Sequence, residues 1–188
     1  MDWSNQAAKL LTTKGQVAVM PTDTVYGLIA RARDQIAVDR LYKLKDRHHK
    51  PGTIIAKNID QLVELGLQRK YLKAAEQFWP GPVSVIIPLS NPDLNYLTQD
   101  QPTIAVRIPK DDWLQGLLSI TGPLLTTSAN EPSKPTSTNL KQARDVFGQT
   151  VDGYFDGGDL SGRKPSTIIR IIDDSVEVIR SGAIEITS

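Results

Sequence analysis

The stretch Gln16-Val17-Ala18-Val19-Met20-Pro21-Thr22-Asp23-Thr24-Val25-Tyr26-Gly27-Leu28-Ile29-Ala30 decides the fold class. Two apolar runs, residues 16–20 and 25–30, flank the polar tetrapeptide Pro21-Thr22-Asp23-Thr24. The first run lies between Gly15 and Pro21 and reads as a buried strand; the second reads as its successor. From residue 34 to about 45 the period changes to a helical one, with Ala37, Leu41 and Leu44 at i, i+4 and i+7.

Outward from that stretch the alternation continues. Further strands are predicted at 53–56, 83–89, 103–109, 123–127, around Tyr154, at 166–172 and at 176–180. Helices are predicted at 59–65, 71–78, 111–120 and 140–147, and the turn Trp79-Pro80-Gly81-Pro82 ends the second of these. Strands mixed with helices at these intervals imply one layered α/β domain over residues 1–188. The pattern does not dictate strand order.

A chain of 188 residues is long enough to bury a core without cross-links. With no cysteine, disulfide scaffolds, thiolate zinc sites and cysteine nucleophiles are excluded. Lys and Arg number 22 against 21 Asp and Glu, so any nucleotide or nucleic-acid site must come from local clustering. No signal peptide is visible at Met1-Asp2-Trp3-Ser4-Asn5, and no run approaches the roughly 18–20 apolar residues of a membrane helix. The expected location is the cytoplasm, without membrane contact.

Neither a Walker phosphate loop nor a Gly-x-Gly-x-x-Gly fingerprint is present. The densest basic cluster is Lys43, Lys45, Arg47, His48, His49 and Lys50. It reads either as solvated cations at a helix C-terminus or as a phosphate clamp. Thr126-Thr127-Ser128-Ala129-Asn130 reads as an ordinary strand end or as a row of polar groups where α/β sheets bind ligands. Pro21-Thr22-Asp23-Thr24 reads as a β-turn whose Asp and Thr bond their own backbone, or as a third polar site. Arg107 is odder. Alternation puts it with Thr103 and Ala105, opposite Ile104, Val106 and Ile108, on either a solvent face or a ligand surface.

Together these pieces resemble the YrdC/Sua5 family. The resemblance rests on Pro21-Thr22-Asp23-Thr24-Val25-Tyr26-Gly27-Leu28, Lys45-Asp46-Arg47, Trp79-Pro80-Gly81-Pro82 and Ala105-Val106-Arg107. It continues through Ser128-Ala129-Asn130, Asp156-Gly157-Gly158, Pro165-Ser166-Thr167-Ile168 and Arg180-Ser181-Gly182-Ala183. Each motif is weak alone; their common order over residues 17–183 is specific. The resemblance implies a YrdC-like single domain of the short bacterial form: a twisted mixed sheet, flanking helices and a large concave cavity. It also implies a nucleotidyltransferase that joins L-threonine and bicarbonate and transfers the carbamate to the α-phosphate of ATP. The product, threonylcarbamoyl-AMP, would pass to a tRNA threonylcarbamoyl transferase acting on adenosine 37.

By the same resemblance Lys45 and Arg47 are the catalytic cations. ATP would be bound by Lys45, Arg47, Thr103, Ser128, Asn130, Thr136 and Arg180, and L-threonine by Thr24, Arg107, Thr126 and Ser166. Mg2+ is expected on the phosphates, with unknown protein ligands. The chain departs from the family pattern at His48, where Pro is usual, at Ala56, which replaces a histidine contact, and at Pro132-Ser133, which replaces Ser-Gly. One rival reading is a module for double-stranded RNA or tRNA with no adenylation activity. Another is the carbamoyl-adenylate handling of hydrogenase maturation.

Overall fold

The computed structural model describes residues 3–46, 49–173 and 175–186. The decisive stretch forms two strands, β1 (Val17–Pro21) and β2 (Tyr26–Arg31), preceded by α1 (Ser4–Thr12) and followed by α2 (Gln35–Leu44). The order continues with β3 (Thr53–Ile55), α3 (Ile59–Leu65), α4 (Arg69–Lys73), β4 (Val83–Pro88), α5 (Asn95–Thr98) and β5 (Thr103–Arg107). It ends with α6 (Asp112–Thr121), β6 (Leu124–Ser128), α7 (Leu140–Phe147), β7 (Gly153–Tyr154), β8 (Thr167–Ile172) and β9 (Ser175–Arg180).

Every predicted strand exists, within a residue or two of its expected limits. Helix starts were legible because polar caps mark them. Asp34, Asn58, Asp111 and Asn139 each accept a hydrogen bond from the backbone N–H three residues on, and each such cap stabilises its helix by about 1 kcal/mol. The predicted helix over 71–78 is broken instead: α4 stops at Lys73 and a 3-10 turn covers Glu76–Phe78. Helical backbone still ends at Phe78, as expected, since Pro80 biases Trp79 to extended backbone (φ −121°, ψ 146°). Helix α1 and the helical turns at 92–98 carried no expectation, because each shows only one or two turns of apolar pattern.

The strands form one twisted mixed sheet in the order β7-β1-β2-β6-β3-β5-β4-β8-β9. Pairing is parallel at β7–β1, β3–β5 and β4–β8 and antiparallel at the other junctions. On one face Val19, Leu28, Leu125, Ile54, Val106, Val85 and Ile169 are fully or almost fully buried. They share a core with Leu41 of α2, Leu62 of α3, Leu72 of α4, Leu97 of α5 and Ala143 of α7. Burying a side chain of that size stabilises the fold by about 1.5–3 kcal/mol.

The opposite face is covered over only part of its area. There Ala18, Met20, Ile29, Ile55 and Leu124 pack against Ala7, Ala8 and Leu11 of α1 and Leu114, Leu117 and Leu118 of α6. The same face continues through the pairs Gly27↔Ser128, Thr53↔Thr126 and Thr53↔Ala105, where hydroxyls replace the aliphatic side chains. That half carries the concave surface.

Candidate active site

A cavity of about 240 Å³ stands on the polar half of the sheet. Its floor comes from adjacent strands: Thr126 and Ser128 of β6, Thr53 of β3, Thr103 and Arg107 of β5, and Ile86 of β4. Thr24 enters from the β1–β2 turn, and Ser166 and Arg180 from the β8–β9 side. Gly27 is required at this edge: a Cβ there would stand 2.5 Å from Thr126 Oγ1.

A chain of polar contacts beneath this cavity runs from the β1–β2 turn across β5 and β4 to the start of β8 and to β9. Arg107, 3% exposed, donates from Nη2 to Asp23 Oδ1 at 2.9 Å and from Nη1 to Ser84 Oγ at 3.2 Å. Ser84 Oγ donates to Ser166 Oγ at 2.9 Å, and Arg180 Nη2 donates to the Ser166 carbonyl at 2.6 Å. The face alternation that isolated Arg107 in sequence thus marks a buried charge at the cavity, paired with Asp23 rather than solvated. Two atoms of this network lack a hydrogen-bond partner among the described residues: Asp23 Oδ2 and Arg107 Nε.

Asp23 and Ser84 were not among the expected site residues. Ser84 left a signal, as the lone polar residue opening the apolar run Val83-Ser84-Val85-Ile86-Ile87. Asp23 left less. The turn reading holds for Thr22, whose Oγ1 donates to the Val25 carbonyl at 2.7 Å, but Asp23 turns away from its own backbone to Arg107.

A second cavity, of about 320 Å³, adjoins the first at Ser128 and is lined by Lys45, Asn130, Pro132 and Ser133. Lys45 caps the C-terminal end of α2, yet it is 3% exposed, so the solvated-cation reading fails for this residue. Its ammonium donates to the Ser128 carbonyl at 2.9 Å, to Asn130 Oδ1 at 2.8 Å and to the Asn130 carbonyl. Ser128 Oγ donates to Asn130 Oδ1 at 2.7 Å, and Asn130 Nδ2 donates to the Lys134 carbonyl at 2.5 Å. Pro132-Ser133 forms the outer wall, with Ser133 in left-handed backbone at φ 63°.

The expected residues therefore divide between two joined cavities. Thr24, Thr103, Arg107, Thr126, Ser166 and Arg180 line the first, Lys45 and Asn130 the second, and Ser128 both. Thr136 is half-buried in the segment after β6 and lines neither. Arg47 and His48 lie outside the described residues. Ala56 is fully buried, its N–H donating to the Arg107 carbonyl at 3.1 Å, so it steadies the strand that carries Arg107. Behind the first cavity Tyr26 braces the Asp156-Gly157-Gly158 turn, its hydroxyl 2.9 Å from the Gly158 carbonyl and accepting from Gly157 N–H at 2.9 Å. Burial pushes the Tyr26 phenol above its usual value; the Gly157 N–H opposes that, and Asp156 reinforces it.

The Sua5–YciO–YrdC family model, which carries the description "telomere recombination", matches residues 11–182. The chain belongs to this family. A threonylcarbamoyl-AMP synthase of Stutzerimonas stutzeri is 32% identical over 182 residues, covering 95% of this chain and 97% of the relative. The structure of Pyrococcus abyssi Sua5 complexed with L-threonine superposes with a TM-score of 0.83 at 29% identity. That match covers 97% of this chain but 55% of the Sua5 chain, so the protein spans about half the length of that family member. Escherichia coli YciO superposes with a TM-score of 0.81 at 26% identity, over 97% of this chain and 90% of YciO. The expected fold is thus the family fold. Among the described residues, no helix is long and apolar enough to cross a membrane.

Proposed function

We infer that this chain is a nucleotidyltransferase that builds threonylcarbamoyl-AMP from L-threonine, bicarbonate and ATP. One observation carries the reading: the buried Arg107 guanidinium underlies a hydroxyl-lined cavity that meets the Lys45 cavity at Ser128. That arrangement suits an amino acid beside a nucleotide. Relatives named threonylcarbamoyl-AMP synthase cover nearly the whole chain, and a family structure is complexed with L-threonine.

In this reading the threonine amine forms a bond to the bicarbonate carbon, and the departing hydroxide takes an amine proton as water. A carbamate oxygen then bonds to the α-phosphorus of ATP as the bond to pyrophosphate breaks. Arg107 holds the threonine carboxylate by a charge-assisted pair, while Thr24, Thr126 and Ser166 surround the rest of that substrate. Lys45, Arg47, Thr103, Ser128, Asn130, Thr136 and Arg180 serve the nucleotide. Fixed cations there stabilise charge developing on phosphoryl oxygens more strongly in the transition state than before it. Because Lys45 already donates to three protein oxygens, a phosphate would displace one of them. The chemistry is positioning and electrostatics, with no covalent intermediate.

The expected Mg2+ has no protein cradle: among the described residues no three His, Asp or Glu side chains gather as a metal site. It would arrive on the phosphates of ATP, as this cation commonly does. The adenylate would be handed to a tRNA threonylcarbamoyl transferase in the cytoplasm. The two adjoining cavities favour small-molecule chemistry over an RNA-binding module, which would need an exposed basic surface. The test is pyrophosphate release from ATP and bicarbonate with each amino acid in turn. Release confined to L-threonine is expected, and threonine-independent release would refute the reading.

A further inference from the structure

Ser84 lies on β4, fully buried, and is not part of the wall of the first cavity. A hydroxyl in that position has to place its proton on a partner inside the protein. Arg107 carries donors alone, so Ser84 Oγ accepts from its Nη1 at 3.2 Å. Among the described residues, the acceptor left for the Ser84 proton is Ser166 Oγ at 2.9 Å. The direction of the chain follows: Arg107 donates to Ser84, and Ser84 donates to Ser166. Ser166 Oγ also accepts a longer contact from Arg180 Nη2 at 3.4 Å, and its own O–H has no acceptor among the described residues. That hydroxyl belongs to a residue only 4% exposed that lines the first cavity. Its backbone is held from behind. Ala183 N–H donates to the Pro165 carbonyl at 2.8 Å, and a Cβ on Gly182 would stand 2.3 Å from that oxygen. Rotation of the Ser166 hydroxyl is therefore the freedom that Ser84 removes.

We propose that Ser84 is a positioning residue for amino-acid use: it turns the Ser166 hydroxyl into a fixed hydrogen-bond donor aimed into the cavity. The substrate atom that meets Ser166 is then an acceptor, which excludes an ammonium group there. The acceptor that fits is the carboxylate, because Arg107 calls for the same negative group and a single hydroxyl, that of Ser84, separates the two donors. Arg107 and Ser166 thus grip one carboxylate from two sides. The same donor order serves the chemistry, since an amine that must attack a carbon keeps its lone pair only if no O–H donor ties it up. The proposal rests on the threonylcarbamoyl reading and adds to it a residue that acts through Ser166 without touching substrate.

The test compares Ser84→Thr with Ser84→Val in the full-length protein. Both add the same methyl group to β4, and only the first keeps a hydroxyl. Calorimetric titration without nucleotide should give Ser84→Val a Kd for L-threonine roughly tenfold above native, the scale of one hydrogen bond to a charged group. Ser84→Thr should stay within about threefold of native, and ATP binding should stay within about twofold for both. Ser84→Ala, which adds no bulk, should match the valine variant. In turnover, KM for L-threonine should rise more than kcat falls. Equal affinities for the threonine and valine variants would reduce Ser84 to a packing residue and overturn the proposal. Adding Ser166→Ala to Ser84→Ala should cost less than about a further twofold, because both changes remove one contact; full additivity would also overturn it. L-threoninol, which lacks the carboxylate, should bind native and Ser84→Ala protein equally weakly. A penalty that persisted with L-threoninol would sink the carboxylate assignment. If the native protein bound L-threonine but released no pyrophosphate, the threonylcarbamoyl reading would fail, and the titrations would judge Ser84 on their own.

Discussion

Asp23 and Arg107, 84 residues apart, form an ion pair at 2.9 Å in which both side chains are at least 95% buried. Such a pair contributes little net stability while intact but is costly to break from one side.

Arg107→Ala therefore has two expected effects. Thermal denaturation should show a loss of about 3–5 kcal/mol, because Asp23 stays buried without its countercharge. Threonine use should fall roughly 100-fold or more in kcat/KM, the scale of a lost buried charge contact. Replacing both residues, Asp23→Leu with Arg107→Met, should recover most of the stability and none of the threonine use. Recovery of activity would remove Arg107 from the substrate site.

Lys45→Met tests whether the two cavities act separately. It leaves the Ser128 and Asn130 carbonyls without their cation, a change of about 2–3 kcal/mol in stability. ATP titrations should weaken markedly, while L-threonine binding in the absence of nucleotide should hold. A matching fall in threonine affinity would show that Ser128 transmits the damage across the shared wall.

Gly27→Ala places a methyl group against Thr126 Oγ1 and within 3.2 Å of Thr22 Cγ2. Overpacking of this kind costs about 1–3 kcal/mol, and pushing Thr126 into the cavity should raise KM for L-threonine. In a Thr126→Ala background the stability cost should shrink, a coupling that chemical denaturation of the four proteins would measure. Strict additivity would place the strain elsewhere.

Tyr26 predicts an alkaline limb in stability. Its folded-state pKa is raised, so its protonated form is favoured by folding. The contribution is complete below the unfolded value near 10 and is lost as pH climbs through the higher folded value. Tyr26→Phe should flatten that limb and lower stability near neutral pH by about 1 kcal/mol, through the lost bonds at Gly157 and Gly158. An unchanged alkaline slope would assign the limb to another group.

Much of the fold was readable because local physics determines it. The runs at 16–20 and 25–30 had to be strands, Asp34 and Asn139 had to start helices, and alternation already set Arg107 apart from Ile104, Val106 and Ile108. Ordered motifs also named most cavity-lining residues, since Thr24, Ser128, Ser166 and Arg180 each sit at a strand end or turn. Where reading failed, the competing force was non-local. The C-terminal cation Lys45 was drawn inward by carbonyl oxygens 83 and 85 positions away.

By itself, then, the sequence determined the elements, their polar ends and the family. Only the tertiary structure decided that Asp23 is the countercharge of Arg107 and that Ser84 joins Arg107 to Ser166. It alone divided the polar residues between cavities that share Ser128. The reason is physical: alternation and capping act over a few residues, whereas the partner of a buried charge is chosen by strand order. The order β6-β3-β5-β4-β8 is set by packing across the whole sheet.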